Sequence, residues 1–388
     1  MRDRSAYFDF GATSPVRKSA LDAMMPYFRD MYGNASSPHK LGRASRAAVD
    51  DARDRIASCL GVKSREIVFT SGGTESIINE IIGAFAGNRH RGKHIVTSEF
   101  EHSATRGILK FLEEEMGAEV TFVGIDGKGH VRLDELKSAL RDDTVLVSVM
   151  LVNNEVGIIQ DLKSVTEMCA PGGILVQSDT VQAFGKTEVD LYGLNVDLAC
   201  ASSHKFGGPK GVGFIYIKEG TYLKPLCQGS HEFGMRAGTE NVPGIVGMAV
   251  ALEEALKELP ELKVRLGGYR KRILDCIRDS NSEAVLNGDQ EKCIAATMNV
   301  QLPGCETEML VLALDRFGVY ASMGSACHSG SAEPSHVLKS MGLSSIDALN
   351  SLRVSMGYST TEDEVDLFCE VFPEAYKQVA GKAQESKK

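Results

Sequence analysis

An α/β fold on a largely parallel sheet, with helices on both faces, is predicted by two regularities in the sequence. Short runs rich in Val, Ile, Leu and Phe alternate with longer amphipathic stretches, and most of these apolar runs end in polar or glycine-rich residues. The first regularity marks repeated strand–helix–strand units, whose strands are buried on both faces and so read as near-continuous apolar runs. The second bears on function, because open α/β sheets bind ligands beyond the carboxyl ends of their strands. At 388 residues the chain exceeds one ordinary domain, so a large unit with a smaller companion is expected.

In chain order, strands are expected at EIVFT (66–70), KHIVTS (93–98), AEVTFVG (118–124), TVLVSVMLV (144–152), GILVQS (173–178), VDLACAS (196–202) and GVGFIYIK (211–218). The stretches TESIINEIIGAFAGN (74–88) and EHSATRGILKFLEEEMG (101–117) between them have helical apolar spacing. From about residue 245 a long charged helical pattern, IVGMAVALEEALKELPELKVRLGGYRKRILDCIRD, interrupts the alternation, and a domain boundary is expected near 250. Beyond it TMNVQL, ETEMLVLALDRFG, the polar loop SMGSACHSGSAEPS and SLRVSMG predict a small α+β unit. The division is 12–250 for the large domain, with 1–11 and 251–388 forming the small one.

Composition narrows the partners. The formal net charge is -9 with no long basic cluster, which argues against nucleic acid or an anionic membrane surface and favours a small-molecule ligand. The opening MRDRSAYFDFGATSP lacks the apolar core of a secretory signal. No stretch reaches the roughly 18 uninterrupted apolar residues of a membrane span, so a cytoplasmic location is expected. Nine cysteines are scattered without a C-x-x-C pair, unlike a zinc site or a disulfide framework, and no metal is expected.

The strand ends carry the chemistry. EIVFT is followed by SGGTES, KHIVTS by EFEH, TVLVSVMLV by NNEVG, GILVQS by DTVQ, and VDLACAS by SHK. In SGGTES, Gly72 and Gly73 let backbone N–H groups approach an anion, Thr74 adds a hydroxyl, and the next helix presents its positive end. Taken singly, this is an ordinary glycine-rich turn. Asp179 ends an apolar strand, where a carboxylate needs a cationic or hydrogen-bonding partner, although alone it equally suits a helix cap. Lys205 poses the same problem with opposite sign: burial favours a neutral amine able to condense with a carbonyl, while a solvated lysine is the simpler reading of an isolated residue. One ligand uses all three groups at once. Pyridoxal phosphate needs an amine for its aldehyde, an acid to keep its ring nitrogen protonated, and an anion site for its phosphate.

The ordered motifs FDFGATSP, GNASS, EIVFTSGGTES, EH, NNEVG, DTVQ, SSHKFGGPKG, RAGTEN, GSACHSGS and SLRVSMG closely resemble the cysteine desulfurases of the NifS/IscS type, within the class V aminotransferases. The resemblance runs from about residue 6 to 370. It implies a PLP-dependent transferase of fold type I, with a large, mostly parallel seven-stranded sheet domain and a smaller α+β domain carrying a catalytic cysteine loop at about 321–336. It further implies that Lys205 bonds the cofactor aldehyde, Asp179 pairs with the pyridinium nitrogen, His102 stacks on the ring and relays protons, and Gln182 bonds the phenolic oxygen. Gly73, Thr74, Ser202 and His204 then hold the phosphate, and Thr239 reaches the phosphate of a neighbouring subunit, which implies a homodimer. Asn154 contacts cofactor and substrate, Arg353 forks the substrate α-carboxylate, and Asn34 is a further substrate contact. Read alone, Asn34 and Asn154 are turn-capping amides, Arg353 a surface ion-pair residue and His102 a structural histidine.

Cys327 is the residue that transamination leaves without a task. It lies among small residues in a polar loop, and it matches the nucleophile position of the family, which implies attack on the sulfur of L-cysteine, release of L-alanine and a persulfide on Cys327. An iron–sulfur scaffold or another acceptor then takes the sulfur. The family commonly carries threonine where this chain has His328; ACHS is also similar to selenocysteine lyases, which leaves selenocysteine as an alternative substrate. A further class V lyase or aminotransferase, and a non-catalytic sulfur-transfer partner, are the remaining readings.

Overall fold

A computed structural model describes residues 4–227, 229–323 and 333–385. A two-residue strand, β1 (Ala6–Tyr7), opens the chain. Seven further strands follow: β2 (Ile67–Thr70), β3 (His94–Ser98), β4 (Glu119–Val123), β5 (Thr144–Ser148), β6 (Leu175–Asp179), β7 (Leu198–Ser202) and β8 (Gly213–Ile217). They form one sheet in the order β2-β8-β7-β6-β5-β3-β4. Only β8 runs against its neighbours, while the other pairings are parallel. Every residue of β2, β3, β5 and β7 is buried, as strands covered by helices on both faces must be. The seven runs read from the sequence are these seven strands, in a mostly parallel α/β sheet.

The expected strand 144–152 is shorter than its apolar run. The regular ladder stops at Ser148, because Met150 N donates to the Glu101 side chain at 2.9 Å. Val149 and Leu151 still bond β6, donating to Gln177 O and Asp179 O. The apolar run therefore continues into the turn that carries Asn153–Gly157 instead of ending at it.

The rest of the chain builds a second sheet from β9 (Val285–Leu286), β10 (Thr297–Gln301), β12 (Ser322–Met323) and β13 (Ser351–Ser355) in the order β12-β13-β10-β9, while β11 (Val319–Tyr320) pairs with β1. Asp9 bridges to Ser355 of β13, so the N-terminal segment lies along the second sheet before crossing to the first. The long charged pattern is one helix, Val242–Ser280, and residue 250 falls inside it. This helix packs on helices Lys18–Met24, Lys40–Leu60 and Glu362–Glu385. No helix among the described residues is long and apolar enough to cross a membrane.

Candidate active site

At the carboxyl ends of β2, β3, β5, β6 and β7 the turns converge on a cavity of about 590 Å³. Parallel register brings these ends level, with Thr97 opposite Ser148, Ser148 opposite Gln177 and Asp179 opposite Cys200. Gly73, Thr74, His102, Asn154, Asp179, Gln182, Ser202, His204, Lys205 and Arg353 all line the cavity. Asp9, Gly11 and Ala12 close it from the N-terminal segment, and Ser322, Met323 and Glu333 from the second sheet and its following segment.

The glycine-rich turn after β2 has the shape of an anion cup. Gly72 has φ 150, a backbone that side-chain-bearing residues avoid, and it leads into the helix Gly73–Asn88. A Cβ on Gly73 would come within 2.8 Å of Val181 Cγ2, so only glycine lets this helix start sit so close to the turn after β6. A hollow of about 360 Å³ opens there between Ser71–Glu75, Ser202 and His204. His204 Nδ1 lies 3.0 Å from Thr13 Oγ1. Its pKa is pushed down to about 4 by burial, then by Lys205, Lys210 and Lys186, so the ring is neutral at pH 7 and its contribution to an anion is a neutral hydrogen bond.

Lys205 ends the short 3₁₀ turn after β7. Its Nζ donates to Gly11 O at 2.6 Å and Ala12 O at 2.8 Å, carbonyl partners that do not neutralise a cation. Burial and the Arg353 guanidinium lower its pKa to about 8, against smaller opposing pulls from Asp179 and Asp9. Asp179 is buried, and its Oδ1 accepts from Val181 N at 2.9 Å and from the Cys200 thiol at 3.8 Å. Gln182 donates from Nε2 to Gly11 O at 3.0 Å. His102 caps the helix Ser103–Met116, its Nδ1 accepting from Ala104 N at 3.1 Å, which leaves the ring proton on Nε2.

Arg353 lies in β13 and is buried. Its Nη2 donates to Asp9 Oδ1 at 2.8 Å and its Nη1 to Asn154 O at 3.4 Å. Its Nε is buried with no partner among the described residues. A buried donor without an acceptor is costly, and the unfilled edge of the guanidinium fits a carboxylate.

Two expected residues are not part of this cavity in the same chain. Thr239 is exposed. Asn34 is exposed too, and its Oδ1 accepts from Ser36 N at 2.8 Å, the geometry of a turn amide. Cys327 and His328 lie outside the described residues; Met323 and Glu333 on either side both line the cavity.

Sequence reading missed four groups at the site. Asp9, in the quoted FDFGATSP, pairs with a residue 344 positions away. Glu155 of NNEVG accepts from Ser335 Oγ at 2.5 Å, and burial raises its carboxyl to about 7. Glu101 is buried and raised to about 8, again by burial. Lys186 is buried, and its amine is pushed down to about 7 by burial, then by Lys205 and Arg353. Each sits beside a quoted motif, yet the contact that gives it meaning is long-range or depends on burial.

Comparison with known proteins gives the family of the chain. Residues 6–368 match the family model for class-V aminotransferases. The chain is 43% identical over 378 residues to a protein named cysteine desulfurase IscS from Methanosarcina thermophila, covering 97% of this chain and 93% of that protein. A cysteine desulfurase IscS from Clostridium botulinum is 40% identical over 379 residues, covering 97% of this chain and 95% of the relative. A solved NifS-like protein superposes with a TM-score of 0.90 at 36% identity, covering 97% of this chain and 100% of the other.

Proposed function

The chain belongs to the class-V aminotransferase family, and on that premise we propose that it is a pyridoxal phosphate-dependent cysteine desulfurase that converts L-cysteine to L-alanine and loads the sulfur on Cys327. The observation that carries the reading is one cavity holding a low-pKa amine, a buried carboxylate, a glycine-lined anion cup and a guanidinium with an unpartnered Nε. The donor set suits pyridoxal phosphate: Gly73, Thr74, Ser202 and His204 would hold its phosphate, Asp179 its ring nitrogen, Gln182 its phenolic oxygen and His102 its ring, and Lys205 would supply the anchoring amine. When bound, the cofactor supplies an aldehyde that condenses with amines and a protonated ring that accepts the electron pair left at the substrate α-carbon.

The chain's own residues do the rest. Arg353 takes the substrate carboxylate on its free edge while Asp9 fixes the guanidinium plane. Asn154 borders the same end of the cavity. Lys205 Nζ, neutral in a large fraction of molecules near pH 8, accepts the α-proton. The Cys327 thiolate attacks the substrate sulfur; the S–S bond forms as the carbon–sulfur bond breaks, and that bonding pair goes to carbon, which is protonated to give alanine. Cys327 lies four positions beyond Met323, a span of at most roughly 14 Å, and Met323 lines the cavity.

We read 12–250 as the cofactor-binding domain and 1–11 with 251–388 as the small one, joined through the helix Val242–Ser280. A homodimer completes each site with Thr239 of the other subunit, which its exposure supports. The sulfur acceptor is an iron–sulfur scaffold or a similar protein, and the enzyme works in the cytoplasm. The test is the visible absorbance of the purified chain. A band that Lys205→Ala abolishes, with alanine formed from L-cysteine, is expected; no Lys205-dependent band overturns the cofactor assignment, and selenocysteine turnover without cysteine turnover replaces desulfurase by selenocysteine lyase.

A further inference from the structure

Behind Lys205 lies a second lysine that the proposed chemistry does not use. Lys186 ends the turn that begins after Asp179, its N–H donating to Ala183 O at 3.0 Å. Its side chain is 8% exposed. A lysine buried to this degree ordinarily faces a carboxylate, whereas its Nζ donates to Oε1 of Gln182, a neutral amide oxygen. The same amide donates from Nε2 to Gly11 O at 3.0 Å, and Gly11 O also accepts from Lys205 Nζ at 2.6 Å. Lys186, Gln182, Gly11 and Lys205 therefore form one continuous hydrogen-bonded line, of which Gln182, Gly11 and Lys205 line the cavity.

The two ends of a glutamine amide are nearly isosteric, so only its partners decide which end faces which way. Here both partners favour the same answer. A backbone carbonyl only accepts and requires nitrogen at its end, and the lysine amine at the other end donates to oxygen, which is all its ammonium form can do. We propose that Lys186 is a positioning residue that locks Gln182 with its nitrogen toward Gly11 and the cavity, so that the second N–H of Nε2 is always presented as a donor to the ligand bound at Lys205. The inference rests on the proposed function, which places the phenolic oxygen of the cofactor at that donor. The reversed amide would set its oxygen against Gly11 O, two acceptors with no proton between them, and would offer the phenolic oxygen an acceptor as well.

Lys186 lacks direct contact with the reacting atoms in this scheme, so its effect must pass through Gln182. The experiment compares Lys186→Met, Gln182→Leu and the double variant, purified with pyridoxal phosphate, by the pH midpoint of the visible band. Lys186→Met is expected to shift the midpoint in the same direction as Gln182→Leu and by at least half as much, and the double variant no further than Gln182→Leu alone. A Lys186→Met midpoint equal to wild type, or additive shifts in the double variant, overturns the proposal. Should Lys186→Met fail to fold, a neutron structure of the wild-type chain decides: deuterium on the Gln182 atom facing Gly11 O is expected, and an oxygen there overturns it. A wild-type chain with no Lys205-dependent band contradicts the proposed function itself, a result distinguishable from both.

Discussion

Lys205 is held in the fold at the expense of stability, because burial and Arg353 take its amine from the ordinary 10.5 to about 8. Between those values the unfolded chain binds the proton and the folded chain does not, so stability rises with pH across about 8 to 10.5, and the penalty is fully present below 8. The shift corresponds to at most about 3 kcal/mol. Lys205→Met is therefore expected to stabilise the cofactor-free chain by roughly 1–3 kcal/mol at pH 7.5, with a smaller gain near pH 10, in urea melts at both pH values. Equal gains at the two pH values would remove the linkage. Arg353 gives the complementary case. Asp9→Ala leaves its guanidinium unpositioned, and the expected outcome is a rise in the L-cysteine KM of about tenfold or more, worth about 1.4 kcal/mol of binding, with the visible band intact. Lys205 and Asp179 were legible as residue types at strand ends and Arg353 only through the family resemblance, while Asp9 and Lys186 were not, because their partners and burial emerge only when distant segments meet.

Among the elements, the strand-to-helix turn at Ser71–Thr74 does most to select the ligand. Gly72 sits at φ 150, where a side chain costs of order 1–3 kcal/mol, and a Cβ there would also lie 3.7 Å from Ser202 Oγ. Gly72→Ala is expected to destabilise the chain by that amount and to weaken capture of pyridoxal phosphate at least tenfold, with little change for pyridoxal, which lacks the phosphate. Equal losses for both ligands, measured by absorbance titration, would place the anion elsewhere. Six of the large-sheet strands were legible because strands buried on both faces show as apolar runs, whereas the edge strand β4 is only partly buried and shows through its β-branched and aromatic residues. The end of β5 was not, since Met150 continues the apolar run while its backbone bonds Glu101. The continuity across residue 250 was equally hidden: a single helix, Val242–Ser280, crosses that point.

For the whole molecule, the segment bearing Thr239 is anchored by a buried ion pair. Arg53 donates from both terminal nitrogens to Glu232 at 2.8 Å, Phe69 N donates to the same carboxylate at 2.7 Å, and Glu232 and Phe233 both take positive φ. Arg53→Met strands Glu232 in the interior and is expected to cost about 3–5 kcal/mol, read in urea melts. The proposed dimer is tested by mixing. Chains carrying Lys205→Ala and chains carrying Thr239→Val each lose turnover alone, and refolded together they are expected to regain it, because a mixed dimer holds one site with both groups; no recovery would confine Thr239 to its own chain. The central claim, that this cavity delivers the sulfur of L-cysteine to Cys327, is met most directly by a single turnover. The chain is mixed with one equivalent of L-cysteine, and the peptide containing Cys327 is weighed by mass spectrometry while alanine is counted. The account predicts one added sulfur atom on Cys327 for each alanine formed, lost on reduction and absent in Lys205→Ala; alanine formed without sulfur on Cys327, or sulfur found on another cysteine, would contradict it.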